Sequence, residues 1–107
     1  MANTYVNAKV DLTGTSVTTL YTCAALTTGI VKSILVSEDS GNADTITVTL
    51  TNTSSAVFSL FKVKSVSANT TLELLSAPLV VQAGEILKVT AATADRLHVV
   101  ASILEIT

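Results

Sequence analysis

Charge is what this sequence has least of. Asp, Glu, Lys and Arg make up 13% of its 107 residues, against about a quarter in ordinary soluble domains. Lys and Arg number 6 and Asp and Glu 8, a net charge of −2. No basic patch faces a phosphate backbone, and aromatic residues, at 4%, are too few to stack bases. Both scarcities argue against direct nucleic-acid binding. Cys23 is the only cysteine. An internal disulfide is therefore excluded, and the chain suits synthesis in a reducing cytosol. No apolar run approaches the ~20 residues of a membrane-spanning helix. The opening "MANTYVNAKVDL" has neither a basic n-region nor an apolar h-region, so it does not read as a signal peptide. The four glycines are isolated, which leaves no phosphate-cradling loop.

Threonine and serine replace the missing charge, and 49% of the residues are hydrophobic. The length fits one domain over residues 1–107, with a short N-terminal arm at residues 1–5. Nearly every informative segment has a period of two. In "YVNAKVDL", Val6, Ala8, Val10 and Leu12 alternate with polar residues. "VTTLYT" is a short strand. "IVKSILVS" is almost continuously apolar, as in a central strand covered on both faces. "TITVTLT" points Ile46, Val48 and Leu50 inward and threonine outward. In "VFSLFKVKSV" the apolar phase slips, which predicts a bulge and an internal Phe58 and Phe61. "LELL" and "PLVV" are parted by "SAP", with Pro78 tolerable only at a strand start or edge. "ILKVTA" and "RLHVVASILEI" complete the set.

Eight or nine strands with Gly, Ser, Asn and Asp turns, and no segment of helical period, predict an all-β antiparallel sandwich or barrel, with jelly-roll connectivity favoured and a Greek-key sandwich as the alternative. Outward threonine suits it, being β-branched with a polar tip. Lys and Glu serve solubility better. Their scarcity implies that the outer faces do not simply meet solvent.

No catalytic set is visible. His98, the lone histidine, and Cys23 lack local signatures of a nucleophilic site. Cys23 reads as a small buried hydrophobe and His98 as an outward side chain. Glu38, Asp39 and Asp44 share a polar loop that could offer oxygens to calcium, but the spacing is not that of an EF-hand and a solvated hairpin loop is the simpler reading. No catalytic residue, metal site or cofactor is expected. Asn52-Thr53-Ser54 and Asn69-Thr70-Thr71 match the glycosylation sequon but chiefly mark surface turns. Lys62 and Lys64 read as charges that discourage edge pairing.

One longer pattern is more specific. "KVDLTGTSVTTLYTCAALTTGIVKSILVSEDSGNADTITVTLT" resembles a module of small β-sandwich structural proteins of tailed bacteriophages, of the marine and cyanobacterial type. There too a strand ending near "TTLYT" leads through a short loop to "IVKSILVSN-S", a polar turn and "TVTVTL". "SLFKVKSVSANTTLELLSAPLVVQAGEILKVTAATADRLHVVASILEI" also looks like these proteins. The chain departs from the pattern at Ala25 and Leu26, where such modules often carry Pro and Ala.

The resemblance implies a virion structural protein, made in the host cytoplasm. The best placement is a capsid decoration or cement subunit bound to the major capsid protein or other virion proteins. Alternatives are a neck, tail, baseplate or fibre-anchoring protein and, less well supported, a carbohydrate-binding module for host surfaces. A homo-oligomer is expected, in the trimeric form that matches local three-fold positions, with no membrane or direct nucleic-acid partner. The expected partner interface comprises the arm residues Ala2, Asn3, Thr4 and Tyr5 and the loop residues Glu38, Asp39 and Asp44. Removal of residues 1–5 is expected to spare the fold and weaken attachment.

Overall fold

The computed structural model describes residues 2–107. Their elements are β1 (Asn3–Leu12), β2 (Thr18–Thr22), β3 (Thr28–Glu38), β4 (Asp44–Thr51), β5 (Val57–Val66), β6 (Thr71–Glu73), β7 (Leu79–Val81), β8 (Ile86–Ala91) and β9 (Leu97–Ile106). No helix among the described residues is long and apolar enough to cross a membrane.

The strands form two antiparallel sheets. One has the order β1-β9-β3-β6, with β7 also on β3, and the other β2-β8-β4-β5. Taken together, β6 and β7 act as one interrupted strand along β3. The pairs β1–β9, β2–β8, β3–β6/β7 and β4–β5 are then nested, as in a long hairpin rolled up on itself. The contacts β9–β3 and β8–β4 close the roll into two sheets. This is jelly-roll connectivity. Alternation then decides the core: Leu12, Val31, Ile34, Val36, Ile46, Val48, Leu87, Val89, Leu97, Val99 and Ile103 meet between the sheets. Of the residues expected inward on β4, Ile46 and Val48 are fully buried, as are Ile34 and Val36 of β3, and Leu50 packs against them half-buried.

Three expectations are corrected. The first is the arm at residues 1–5. Met1 lies outside the described residues, but Asn3, Thr4 and Tyr5 belong to β1, and Ala2 exchanges backbone hydrogen bonds of 3.2 and 2.9 Å with Thr107. The arm is the start of a strand, because the end of β9 returns beside it and pairs Asn3, Thr4 and Tyr5 with Ile106, Glu105 and Leu104. Its removal would shorten that strand. The second concerns β3, which is covered on one face only: Lys32 and Leu35 are exposed. A register shift between Val31 and Ser33 resets its phase. Its outward Ile30 and Leu35 are apolar too, and so the run looked continuous. The third is Phe58, which is 52% exposed. β5 is an edge strand with two register shifts against β4, and Phe58 lies beyond the closed core while Phe61 still packs against it.

β6 ends on a Glu where the interruption before β7 begins. At this break the β3 backbone would lack acceptors. The Glu73 carboxylate supplies them, accepting from Ile34 N at 2.8 Å, from Leu75 N at 3.2 Å, and from the Ser33 hydroxyl. Burial pushes its carboxyl up, but these donors prevail and hold it below the ordinary value. Pro78 sits just before β7, at the strand start where its missing N–H does no harm.

Candidate interaction surfaces

The outer face of the β2-β8-β4-β5 sheet is built from threonine. Strand pairing sets Thr19, Lys88, Thr49 and Ser59 in one row across it, and Thr47 beside Thr90. Thr45, Thr47 and Thr49 are half-buried by their neighbours while Ile46 and Val48 face the core. Thr47 also steadies the neighbouring strand, because its Oγ1 accepts a hydrogen bond of 3.1 Å from Val63 N. Val63 has φ +53°, rare for a β-branched residue, and the Thr47 hydroxyl satisfies the backbone where β5 departs from its register. Lys62, Val63 and Lys64 project from this irregular edge, all exposed. A bulged, lysine-bearing edge is a poor template for another strand.

The outer face of the β1-β9-β3 sheet is more apolar. Tyr5, Leu104, Ile30 and Val80 form a row across β1, β9, β3 and β7, with Tyr5 73% and Val80 51% exposed. Lys9, Val100 and Leu35 form a parallel row. At the far end the row Asp11, His98 and Ser37 carries charge. His98 Nε2 lies 3.1 Å from Asp11 Oδ1, and its Nδ1 lies 3.5 Å from Asp39 Oδ2. The imidazole thus bridges β1 and the loop after β3. Cys23, in contrast, is buried, with its Sγ donating to Thr27 O at 3.3 Å. Cys23 lies in the core and His98 on an outer face, and they form no common site.

The loop residues expected at an interface divide. Asp39 is exposed. Glu38 and Asp44 are buried, at 1% and 7% exposure, and are corrected out of the exposed surface. Their carboxylates hold the loop from within. Glu38 accepts from Ser40 N at 2.9 Å, Gly41 N at 3.0 Å and Asn69 N at 3.1 Å, and from the Ser40 hydroxyl. Burial pushes the Glu38 carboxyl up, yet the donors outweigh it and hold it at about 2. Asp44 Oδ2 accepts from Thr93 N at 3.1 Å. The three carboxylates therefore turn to different donors, and the loop is not the solvated hairpin expected. Gly41, at φ +83°, lets the chain curl back over Glu38.

Ala2, Asn3, Thr4 and Tyr5 are all exposed. Their backbone forms one end of the β1 edge. The exposed aromatics Tyr5 and Phe58 lie on different sheets, and Tyr21 is buried with its hydroxyl donating to Glu105 Oε2 at 2.6 Å. Burial, followed by the Glu105 contact, pushes the Tyr21 phenol far above its usual range. These aromatics do not form the shared platform that a sugar-binding face uses.

Sequence reasoning did not find Glu73, Asn69 or the Tyr5–Leu104–Ile30–Val80 row. The row depends on register between distant strands. Asn69 and Glu73 carried a weak signal, a turn residue and an isolated acid beside an apolar run.

No protein-family model matches the chain, and no curated protein matches it by sequence. Among solved structures it is similar to a chain in the "Structure of infectious bursal disease virus Gt strain", at 12% identity and a TM-score of 0.48. The likeness covers 98% of this chain and 30% of that one, so the present chain spans under a third of its length.

Proposed function

We propose that this chain is a structural subunit of a tailed-phage virion, lying on the head as a decoration or cement protein bound to the major capsid protein. It acts by contact and carries out no chemical reaction. The observation that carries the reading is the strand pattern shared with small phage structural proteins over nearly the whole chain. The outer faces support it. A threonine sheet face desolvates at less cost than a field of ions, and small polar side chains can hydrogen-bond across a close contact. A lattice of many copies lets each bond be modest. Local three-fold positions of a shell would take the subunit as a trimer, held through the outer faces.

Counting copies per purified particle by quantitative mass spectrometry tests the placement. Hundreds of copies, with labelled protein decorating heads, support it. A few copies, with label confined to tail tips, overturn it in favour of a neck, tail or baseplate role. The sedimentation mass of the purified protein tests the trimer.

A further inference from the structure

The two long edge strands of this sandwich are treated differently. β5 is irregular and carries Lys62 and Lys64 beside the strained Val63. β1 has no register shift along its ten residues and lies at the end of its sheet. Its hydrogen-bonding phase follows from its end. Ala2 and Thr107 exchange both backbone bonds, and in an antiparallel ladder such pairs alternate with pairs that do not bond. Thr4, Val6, Ala8 and Val10 therefore bond to β9. Asn3, Tyr5, Asn7, Lys9 and Asp11 aim their N–H and C=O groups away from it, toward the open edge. Only the Asp11 carbonyl is already engaged, accepting from Thr13 N at 3.0 Å. A regular strand with free groups is a template for another strand.

We infer that the occupant is a second copy of this chain, its β1 antiparallel to the first about a two-fold axis at Asn7. The reason is self-complementarity. This register sets Asn7 against Asn7 of the copy, Lys9 against Tyr5, and Asp11 against Asn3. It matches the whole run from residue 3 to residue 11, whereas shifting the axis by one residue leaves one end unpaired. No like charges face each other, and each Lys9 ammonium meets an exposed phenol ring, a favourable pairing. Moving the axis to Lys9 would set lysine against lysine. About eight new backbone hydrogen bonds form in the matched register. On the inner side, Val6 of one copy meets Ala8 of the other and Val10 meets Thr4. Val6, Ala8 and Val10 are only partly buried in the single chain, and the copy covers their open side. The contact is isologous. It makes a dimer of single chains or joins two trimers, and it holds whether or not the chain sits on a virion.

The experiment compares wild type, Asn7→Lys and Asn7→Asp by sedimentation over a concentration series reaching the high-micromolar range. Asn7 is exposed, so either change spares the core, and circular dichroism checks that the fold is kept. Wild type is expected to show a species with two copies across the edge. Each variant alone should lose it, since like charges then face each other at the axis. An equimolar mixture of the two should recover it as a heterodimer. Lys62→Glu, at an exposed position on the β5 edge, should leave the two-copy species unchanged. The inference is overturned if wild type shows no such species, or if both variants associate as wild type does. Stronger association of Asn7→Asp alone also overturns it, because Asn7 would then face Lys9 in a different register.

Discussion

The Glu38 carboxylate accepts a hydrogen bond from the backbone N–H of Asn69, 3.1 Å away. That bond joins the loop after β3 to the turn before β6, and Thr70 O accepts from Glu38 N at 2.9 Å in the same place. Asn69 stands at φ +55°, a conformation Asn tolerates better than most residues. A buried carboxylate thus organises two turns at one end of the sandwich.

A dependence on pH follows. A carboxyl held below its unfolded value stabilises the fold in full above that value, and the contribution is lost as pH falls through the folded value. For Glu38 the loss runs from its ordinary 4.5 down to about 2. Glu73, also lowered, adds in the same direction. Melting temperature should be flat near neutrality and fall across this acid window. Glu38→Gln should melt lower than wild type at pH 7, and the difference should shrink toward pH 2. A gap that stays constant with pH would refute the role of the Glu38 charge.

Gly29 should not accept a side chain. A Cβ there would lie 2.8 Å from Tyr21 Oη and 3.0 Å from Tyr21 Cε2. The ring cannot easily retreat, since Tyr21 is buried and hydrogen-bonded to Glu105. Gly29→Ala is expected to destabilise by about 1–3 kcal/mol, as overpacked cores do. Tyr21→Phe removes the nearer atom, so the double variant should lose less than the two single losses added. Denaturant titration of the four proteins reads this coupling.

The core makes a graded expectation. Ile46 is fully buried and Leu50 only half-buried. Ile46→Ala should cost about 2–5 kcal/mol, and Leu50→Ala less. Ile46→Asp should leave the chain unfolded, because an unpaired buried carboxylate costs several kcal/mol, about as much as a small domain's whole stability. Equal losses for the two alanine variants in urea would contradict this core assignment.

Thr51 offers a gain. It is 8% exposed, and its Oγ1 is the buried side-chain polar atom without a hydrogen-bond partner among the described residues. A buried hydroxyl left unpaired costs about 1–3 kcal/mol. Thr51→Val keeps the shape and removes the hydroxyl, and it should raise stability by about 1 kcal/mol in the same urea assay. A loss of stability would show that the hydroxyl is satisfied in solution.

Local pattern along the chain was enough to place the strands. β5 and β8 begin and end where the apolar-rich segments "VFSLFKVKSV" and "ILKVTA" do, at Val57–Val66 and Ile86–Ala91, because turn residues on either side interrupt the strand. Strict alternation of a strand's side chains told which of Thr45–Leu50 face inward. What each outer face looks like came from tertiary pairing alone. The row Tyr5, Leu104, Ile30, Val80 joins residues up to 99 positions apart, and no local pattern encodes the register that aligns them. The same holds for the acids. Glu38, Asp39 and Asp44 look alike in a polar loop, yet two are buried and one is exposed. The donors that draw Glu38 and Asp44 inward include Asn69 and Thr93, which reach them only once the hairpin has rolled up. Residues 3–5 look like a free arm until β9 returns beside them. Strand identity is set by neighbours along the chain, and faces, edges and buried charges are set by neighbours across it.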